Sequence, residues 1–348
     1  MSAATAGGLC RKLMQLGLAL LVACSSGETP DQSAAPPDTT LSVFTTVAEP
    51  PLEELLGGYA RHHGVQLSVT HGDLQSFHQM TQTEGHSPDL FVAGSIPDLT
   101  LASRENVLRP FRSALVLERI PQAWRDPEKS WTALAVRGRG VALNPVLVAE
   151  PELASISGFA SLADDRWRDR LCLSSSSVAG NRSLIARLIR DHGERQAEIV
   201  VRGWRDNLAQ PVYADDAQLL QAIADGSCAI GIAGFDKLAR LIDADQTVNL
   251  RPHRFADPDQ AHVELSGAGV TRHARHPEQA AAMLELLIEA EANAKFAAML
   301  YALPANPRAT ISIRPHLRGQ LPADGVNAAE LGFLLEDAVR LAERARYP

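Results

Sequence analysis

The chain has no surplus of positive charge. Lysine and arginine number 33 against 41 aspartates and glutamates, for a net charge of −8. A nucleic-acid partner is disfavoured, because phosphate binding calls for a basic face. Long apolar runs are missing too. The run at residues 13–23 is eleven residues long, whereas a bilayer-spanning helix needs about 20. Catalytic signatures are absent: no Gly-x-Ser-x-Gly elbow, His-Glu-x-x-His, P-loop or strand-following Gly-x-Gly-x-x-Gly occurs. An enzyme is therefore not expected, and no cofactor is called for. Cysteine is sparse. Past the leader only Cys24, Cys172 and Cys228 remain. Cys172 and Cys228 both fall on expected strands, so an oxidising compartment allows a disulfide, and two separate buried thiols are the other outcome.

What is present begins with an address. Arg11 and Lys12 precede the short apolar run, which ends Leu21, Val22, Ala23 before Cys24. A basic start, a short apolar stretch and small residues at the cut describe a secretory signal over 1–23. The ending resembles a lipobox, which implies cleavage before Cys24 and lipidation of its thiol. Residues 24–40 are rich in Pro and Ser and low in apolar residues, the composition of a flexible tether. The remainder has the makeup of a globular protein, with 45% hydrophobic and 21% charged residues overall. Roughly 300 residues bury a large core and at that size divide into two lobes.

Strands and helices alternate. Strands are expected at 41–45, 66–70, 89–93, from Gly140, at 171–173, near Pro211, at 228–232 and at 264–270. Helices are expected from Pro51 to His62, from Asp73, after Ser95, and as one long element from Pro277 to Leu300. Such alternation predicts an open, mainly parallel α/β sheet with ligands at the carboxyl ends of the strands. The stretch Leu171–Leu184 is the focus: a strand end, four serines (Ser174 to Ser177), Gly180, and Asn181 as cap of the next helix. Free N–H groups at a helix start favour anions, although serines and glycine also make plain turns.

Two kinds of ligand chemistry follow from the residues at these corners. Carboxylates of Glu49, Asp215, Asp216 and Asp236 suit a hard cation, or else Asp215 and Asp216 cap the following helix and Glu49 favours the start of the first. Hydroxyl and amide groups at Thr45, Thr46, Ser95, Ser175, Ser176 and Asn181, with Arg182 and Lys237, suit an anion or an anionic chelate. The histidines near residues 62–86 match no compact metal motif and read as surface groups. His71 is the exception, since it closes a strand and joins the candidate ligand set.

Several stretches resemble the periplasmic ferric-ion-binding proteins, the solute receptors of iron-importing ABC transporters. They are PDLFVA (88–93), RDPEKSWTALAVRGRGVALN (125–144), SLADDRWRDRLCLSSS (161–176), GAGVTRHARHPEQA (267–280), AMLYALPAN (298–306) and EDAVRLAERARY (336–347). The resemblance implies a class II periplasmic-binding-protein fold, two lobes joined by a hinge with a ligand cleft between them. Lobe 1 is expected at 41–138 plus 265–310, lobe 2 at 139–264, and a helical segment at 311–348 packed on the lobes. The hinge crossings fall at Arg139–Asn144 and Glu264–Gly269. The implied protein is a monomeric, lipid-anchored receptor on the periplasmic side of a bacterial envelope membrane, with an ABC permease as partner; a lipid-anchored sensor or adaptor with the same fold is the alternative.

The family's iron chemistry does not carry over. Its members hold ferric iron with tyrosine phenolates, and this chain has only four tyrosines. Gly180 stands where one is expected, and Asp236 and Lys237 where a pair is expected. Ala48, Glu49 and Ala93 fall at the remaining ligand positions. Tyr213 alone is expected near the cleft. An anion, or a chelated or carboxylate-bound metal, is therefore expected in place of tyrosinate-bound Fe(III).

Overall fold

A computed structural model describes residues 40–47, 51–83, 85–311 and 328–348. All of them belong to one compact unit, Asp38–Pro348. Cys24, the signal, residues 24–39 of the expected tether and Glu49 lie outside the described residues, while Thr40, expected in the tether, begins the first strand.

The chain runs β1 (Thr40–Thr45), α1 (Pro51–His63), β2 (Gln66–His71), α2 (Leu74–Gln82), β3 (Leu90–Ala93), α3 (Ile96–Arg104), α4 (Ala114–Arg119) and β4 (Thr132–Leu143). Then come α5 (Glu150–Leu153), β5 (Leu171–Cys172), α6 (Ala179–His192), α7 (Glu194–Asp206), α8 (Asp216–Ala224), β6 (Ile230–Gly234) and α9 (Phe235–Ala244). The last elements are β7 (Arg251–His253), β8 (His262–Val270), α10 (Pro277–Ile288), α11 (Ala290–Met299), β9 (Leu303–Pro304), α12 (Ala328–Phe333) and α13 (Leu335–Ala345).

Local chemistry sets several boundaries. Asp73 caps α2 by accepting from Ser76 N at 2.8 Å, Ser95 caps α3 through Asp98 N at 3.2 Å, and Asp215 caps α8 through Gln218 N at 2.9 Å. Each satisfies an amide that the first helical turn leaves without a partner. Strands β3, β4 and β6 are almost wholly buried and apolar, as expected of strands covered on both faces. Phe44, Phe77 and Phe91 pack beneath β1 and β3, with the Phe77 and Phe91 rings stacked 3.9 Å apart.

The strands form a single path, β2-β1-β3-β8-β4-β6-β5, with β7 and β9 also paired to β4. β1 is parallel to β2 and β3, and β5 to β6. The centre is antiparallel, contrary to the mainly parallel sheet expected from alternation. β4 and β8 lie against each other from Thr132↔Ala268 to Arg139↔His262, and β4 continues against β6 from Arg139 to Leu143. β4 thus pairs with both β8 and β6, and β8 with both β3 and β4.

Three local expectations are corrected. The segment at Pro211 forms only a one-residue bridge, Ser174↔Tyr213, since proline cannot donate to a ladder. The long helix from Pro277 breaks at Glu289, whose backbone is extended (φ −60°, ψ 144°). There the carbonyls of Leu287 and Ile288 accept from the side chains of Asn293 and Asn306, each at 2.8 Å, so the helix end is satisfied without further turns. Asn181 is not a cap. It sits inside the first turn of α6 and its amide reaches back to Ser174 O at 3.0 Å and Ser175 O at 2.9 Å. Cys172 and Cys228 are joined in a disulfide spanning 56 residues, which a chain-entropy estimate values at about 4 kcal/mol. α13 packs on α6 and α7, and α12 lies against α3 and α6.

Candidate functional site

The central strands bring charge into an apolar sheet. Side chains two apart on a strand share a face, so Arg137 and Arg139 of β4 project together, with Glu264 opposite Arg137 on β8 and Ser266 opposite Ala135. Above this face is a cavity of about 310 Å³. Thr46, Gly94, Ser95 and Asp98 close one side of it, from the ends of β1 and β3. On the other side stand the first residues of α6 (Ala179, Gly180) and of α9 (Asp236, Lys237, Arg240).

Most of the carboxylate in this cavity is already spoken for. Arg139, 1% exposed, donates to Asp216 at 2.7 and 3.2 Å, to Asn181 Oδ1 at 2.5 Å and to Glu264 at 3.4 Å. Asp216 also accepts from Ser174 Oγ at 2.6 Å and Gly234 N at 2.9 Å. Burial works against the Asp216 carboxylate, but Arg139 and these donors prevail and hold its pKa below the ordinary value. Glu264, farther from Arg139 and 3.9 Å from Arg137, goes the other way: burial pushes it up. Burial raises Asp98 as well, against hydrogen bonds from Ser95 and Thr46. The charges of Asp216 and Glu264 outweigh the cost of burial at Arg139, whose pKa is raised.

Gly180 is what permits this cluster. A Cβ there would lie 1.9 Å from Glu264 Oε1 and 2.7 Å from Arg139 Nη1, closer than atoms pack. Any side chain at 180 must displace the pair.

The cations on the rim are less committed. Arg137 donates to Gly94 O and has Asp236 at 3.7 Å, and its Nε is buried with no partner. Lys237, 44% exposed, stands 3.6 Å from Asp236. Arg240 lies 4.5 Å over the Tyr301 ring and donates to Met299 O at 2.9 Å. The starts of α6 and α9 have no side-chain cap, so their positive ends are directed at the same space.

Of the residues expected from sequence, Thr46, Ser95, Asp216 and Asp236 line the cavity. Thr45 is buried beneath it, donating to Val92 O at 2.9 Å and accepting from Val47 N at 3.0 Å. Asp215 is spent on capping α8, and His71 contacts Val47 O and Glu53 at 3.2 and 3.1 Å. Ser175 N donates to Tyr213 O at 2.8 Å and Ser176 N to Pro348 O at 2.7 Å, so these amides of the serine loop are occupied. Asn181 acts behind the cavity, holding Arg139. Arg182 faces a neighbouring hollow of about 540 Å³ that shares Thr46 and Asp98. Arg137, Arg139, Glu264, Asp98 and Arg240 were not anticipated as site residues; two arginines in the strand LAVRGRGVAL were the available signal.

Tyrosine contributes nothing to the described lining. Tyr59 stacks on His63, Tyr213 donates its backbone N–H to Leu173 O, Tyr301 lies under Arg240, and Tyr347 is buried with its hydroxyl donating to Ser174 O at 2.6 Å. Burial raises the Tyr347 phenol pKa further. Among the described residues no group of three or more His, Cys, Asp or Glu is arranged to hold a metal ion.

A family described as bacterial extracellular solute-binding protein matches residues 41–299. The chain belongs to this family. Such proteins are solute receptors, not enzymes. This solute-binding protein is similar to iron uptake protein A1 of Synechocystis, 24% identical over 344 residues that cover 95% of this chain and 94% of that protein. It is 29% identical to iron uptake protein A2 of the same organism, over 79% and 82% of the two chains. A solved structure of Trichodesmium IdiA (FutA), in complex with iron and citrate ligands, matches with a TM-score of 0.78 and 26% identity over 89% of this chain and all of that one. The ferric binding protein from Campylobacter jejuni shares the fold at a TM-score of 0.78 and 18% identity, over 88% of this chain and all of that one. The fold is thus the class II periplasmic-binding-protein fold, in a protein related to iron-uptake systems.

Proposed function

We propose that this protein is the receptor of an ABC-type importer, anchored through a lipid on Cys24 to the periplasmic side of an envelope membrane. Its cleft takes an anion or an anionically chelated metal in place of tyrosinate-held Fe(III). One observation carries this reading: Arg139 is matched to the buried Asp216, Arg137 stands near Glu264 and Asp236, and Lys237, 3.6 Å from Asp236 and part-exposed, stands with two helix starts that lack side-chain caps at the opening. A bare cation 4 Å from Lys237 would meet repulsion of about 4 kcal/mol per metal charge at an effective dielectric of 20. An oxyanion or a carboxylate chelate meets the opposite sign, and each helix end adds about 0.3–1 kcal/mol.

The Synechocystis and Trichodesmium relatives, named for iron uptake and for iron with citrate, support a ferric chelate as one candidate. Thr46, Ser95, Lys237 and Arg240 are assigned to ligand contact, with Arg139, Asn181 and Asp216 as the scaffold behind them. The lobes are proposed to divide near 138/139 and 264/265 and to close on the ligand, the protein acting as a monomer that docks on a permease. The test is a thermal-shift series with phosphate, citrate, ferric citrate and bare metal salts. A ligand at 100 times its Kd stabilises the native state by about 2.7 kcal/mol, so an upward shift with the anions or the chelate and none with bare metals is expected. A shift with bare metals alone would refute the reading.

A further inference from the structure

A larger hollow than the cleft, about 680 Å³, opens elsewhere, between α4 and the chain that leads into β4. It shares no lining residue with the cleft. Its walls are apolar, with Phe111, Val116, Leu117 and Trp131. Leu117 is 56% exposed there. Three of its charged groups are cations and one is a carboxylate. Arg112, Arg125 and Lys129 line it, and none of the three makes a side-chain hydrogen bond or ion pair with a described residue. Arg125 Nε is shut away from solvent with no partner. The one carboxylate of the lining does not offset them, because Asp126 is turned to Ser130 N at 3.0 Å and to the hydroxyls of Ser130 and Ser103 at 2.6 and 3.3 Å.

In a chain of net charge −8, three cations without a partner among the described residues, around an apolar recess, are a local reversal. The backbone on one side of the recess is held in place. Lys129 is fixed by its own N–H to Asp126 O at 2.9 Å and by Phe111 N donating to its carbonyl at 3.0 Å. Ligand sites combine apolar walls with a few placed polar groups, and a buried unpaired guanidinium nitrogen gains a charge-assisted bond when an anion arrives.

We propose that this hollow is a second ligand site, taking an organic anion with an apolar body, a carboxylate or sulfonate on a ring or branched chain. The anionic group meets Arg112, Arg125 and Lys129, and the apolar body lies on Phe111 and Leu117. Trp131, which immediately precedes β4, is 1% exposed and backs the recess rather than opening into it.

The experiment is a fluorescence titration of the mature full chain with 8-anilinonaphthalene-1-sulfonate, displaced by 1-naphthoate or by the neutral 1-naphthylmethanol. One saturable probe site per chain is expected, with the acid displacing at least about tenfold better than the alcohol and Arg112→Gln/Arg125→Gln weakening the probe by about tenfold or more, the range for hydrogen bonds to charged groups. Neither arginine leaves a described partner unpaired, so the melting temperature is expected to hold; if it falls, Lys129→Gln at an exposed position must show the same weakening. Lys237→Gln, in the cleft, is expected to leave the probe unaffected. Absence of a one-to-one site, equal binding by the arginine variant, equal displacement by the alcohol, or loss with Lys237→Gln would each overturn the proposal.

Discussion

Replacing Arg139 by methionine removes the cation at the centre of the buried cluster while keeping a similar length of side chain. Two hydrogen bonds to Asp216, one to Asn181 and the contact to Glu264 vanish together. Asp216 keeps only Ser174 Oγ and Gly234 N as donors. Leaving a buried charge uncompensated in this way costs about 3–5 kcal/mol. The loss is pH-dependent, with a definite sign. In the native protein Asp216 titrates below its unfolded value, so its contribution is present at neutral pH and is lost only as pH falls through that lowered value. Without Arg139, only the Ser174 and Gly234 hydrogen bonds oppose burial, and the Asp216 pKa is expected to rise above the unfolded value. The variant then carries a penalty at neutral pH that fades as pH falls toward about 4, the unfolded carboxylate range. Urea unfolding of both proteins at pH 7 and near pH 4, with the disulfide intact, measures this. The difference should be several kcal/mol at pH 7 and clearly smaller at the acid end. Adding Asp216→Asn should restore part of it. A loss below about 1 kcal/mol at pH 7, in the range of an exposed pair, or one independent of pH, would refute the argument.

Gly180→Tyr should destabilise the protein, because its Cβ alone would fall 1.9 Å from Glu264, and ferric citrate should raise no phenolate band in it; a stable, coloured variant would contradict the packing. Cys172→Ser with Cys228→Ser should lower unfolding stability by about 4 kcal/mol, read by denaturant midpoint. Cys24→Ala should leave a protein that no longer fractionates with membranes, since lipid chains supply about 0.8 kcal/mol per buried CH₂.

Helix starts at Asp73, Ser95 and Asp215 were legible because capping is decided within four residues. The antiparallel β4–β8 centre was not, since it joins residues more than a hundred positions apart and nothing local marks the partner. The break at Glu289 was hidden for the same reason: Asn293 also donates to Leu134 O, and Asn306 comes from a later segment. Of the cavity's lining, Thr46, Ser95, Asp216 and Asp236 were among the candidates because they lie at strand ends or helix starts. Ser175, Ser176 and Asn181 follow the same pattern, but their polar groups serve the serine loop, Tyr213 and the chain end instead. Arg137 and Arg139 escaped notice because a charged residue in an apolar strand reads as an interruption until its carboxylate partners are brought beside it.

The most direct measurement is the visible absorption spectrum and iron content of the mature protein after exposure to ferric citrate. Iron held without phenolate ligands, or no iron at all, is expected, with no charge-transfer band in the visible. A coloured protein carrying stoichiometric iron and a phenolate band would contradict the account and would place a tyrosine, Tyr213 first among them, in the cleft.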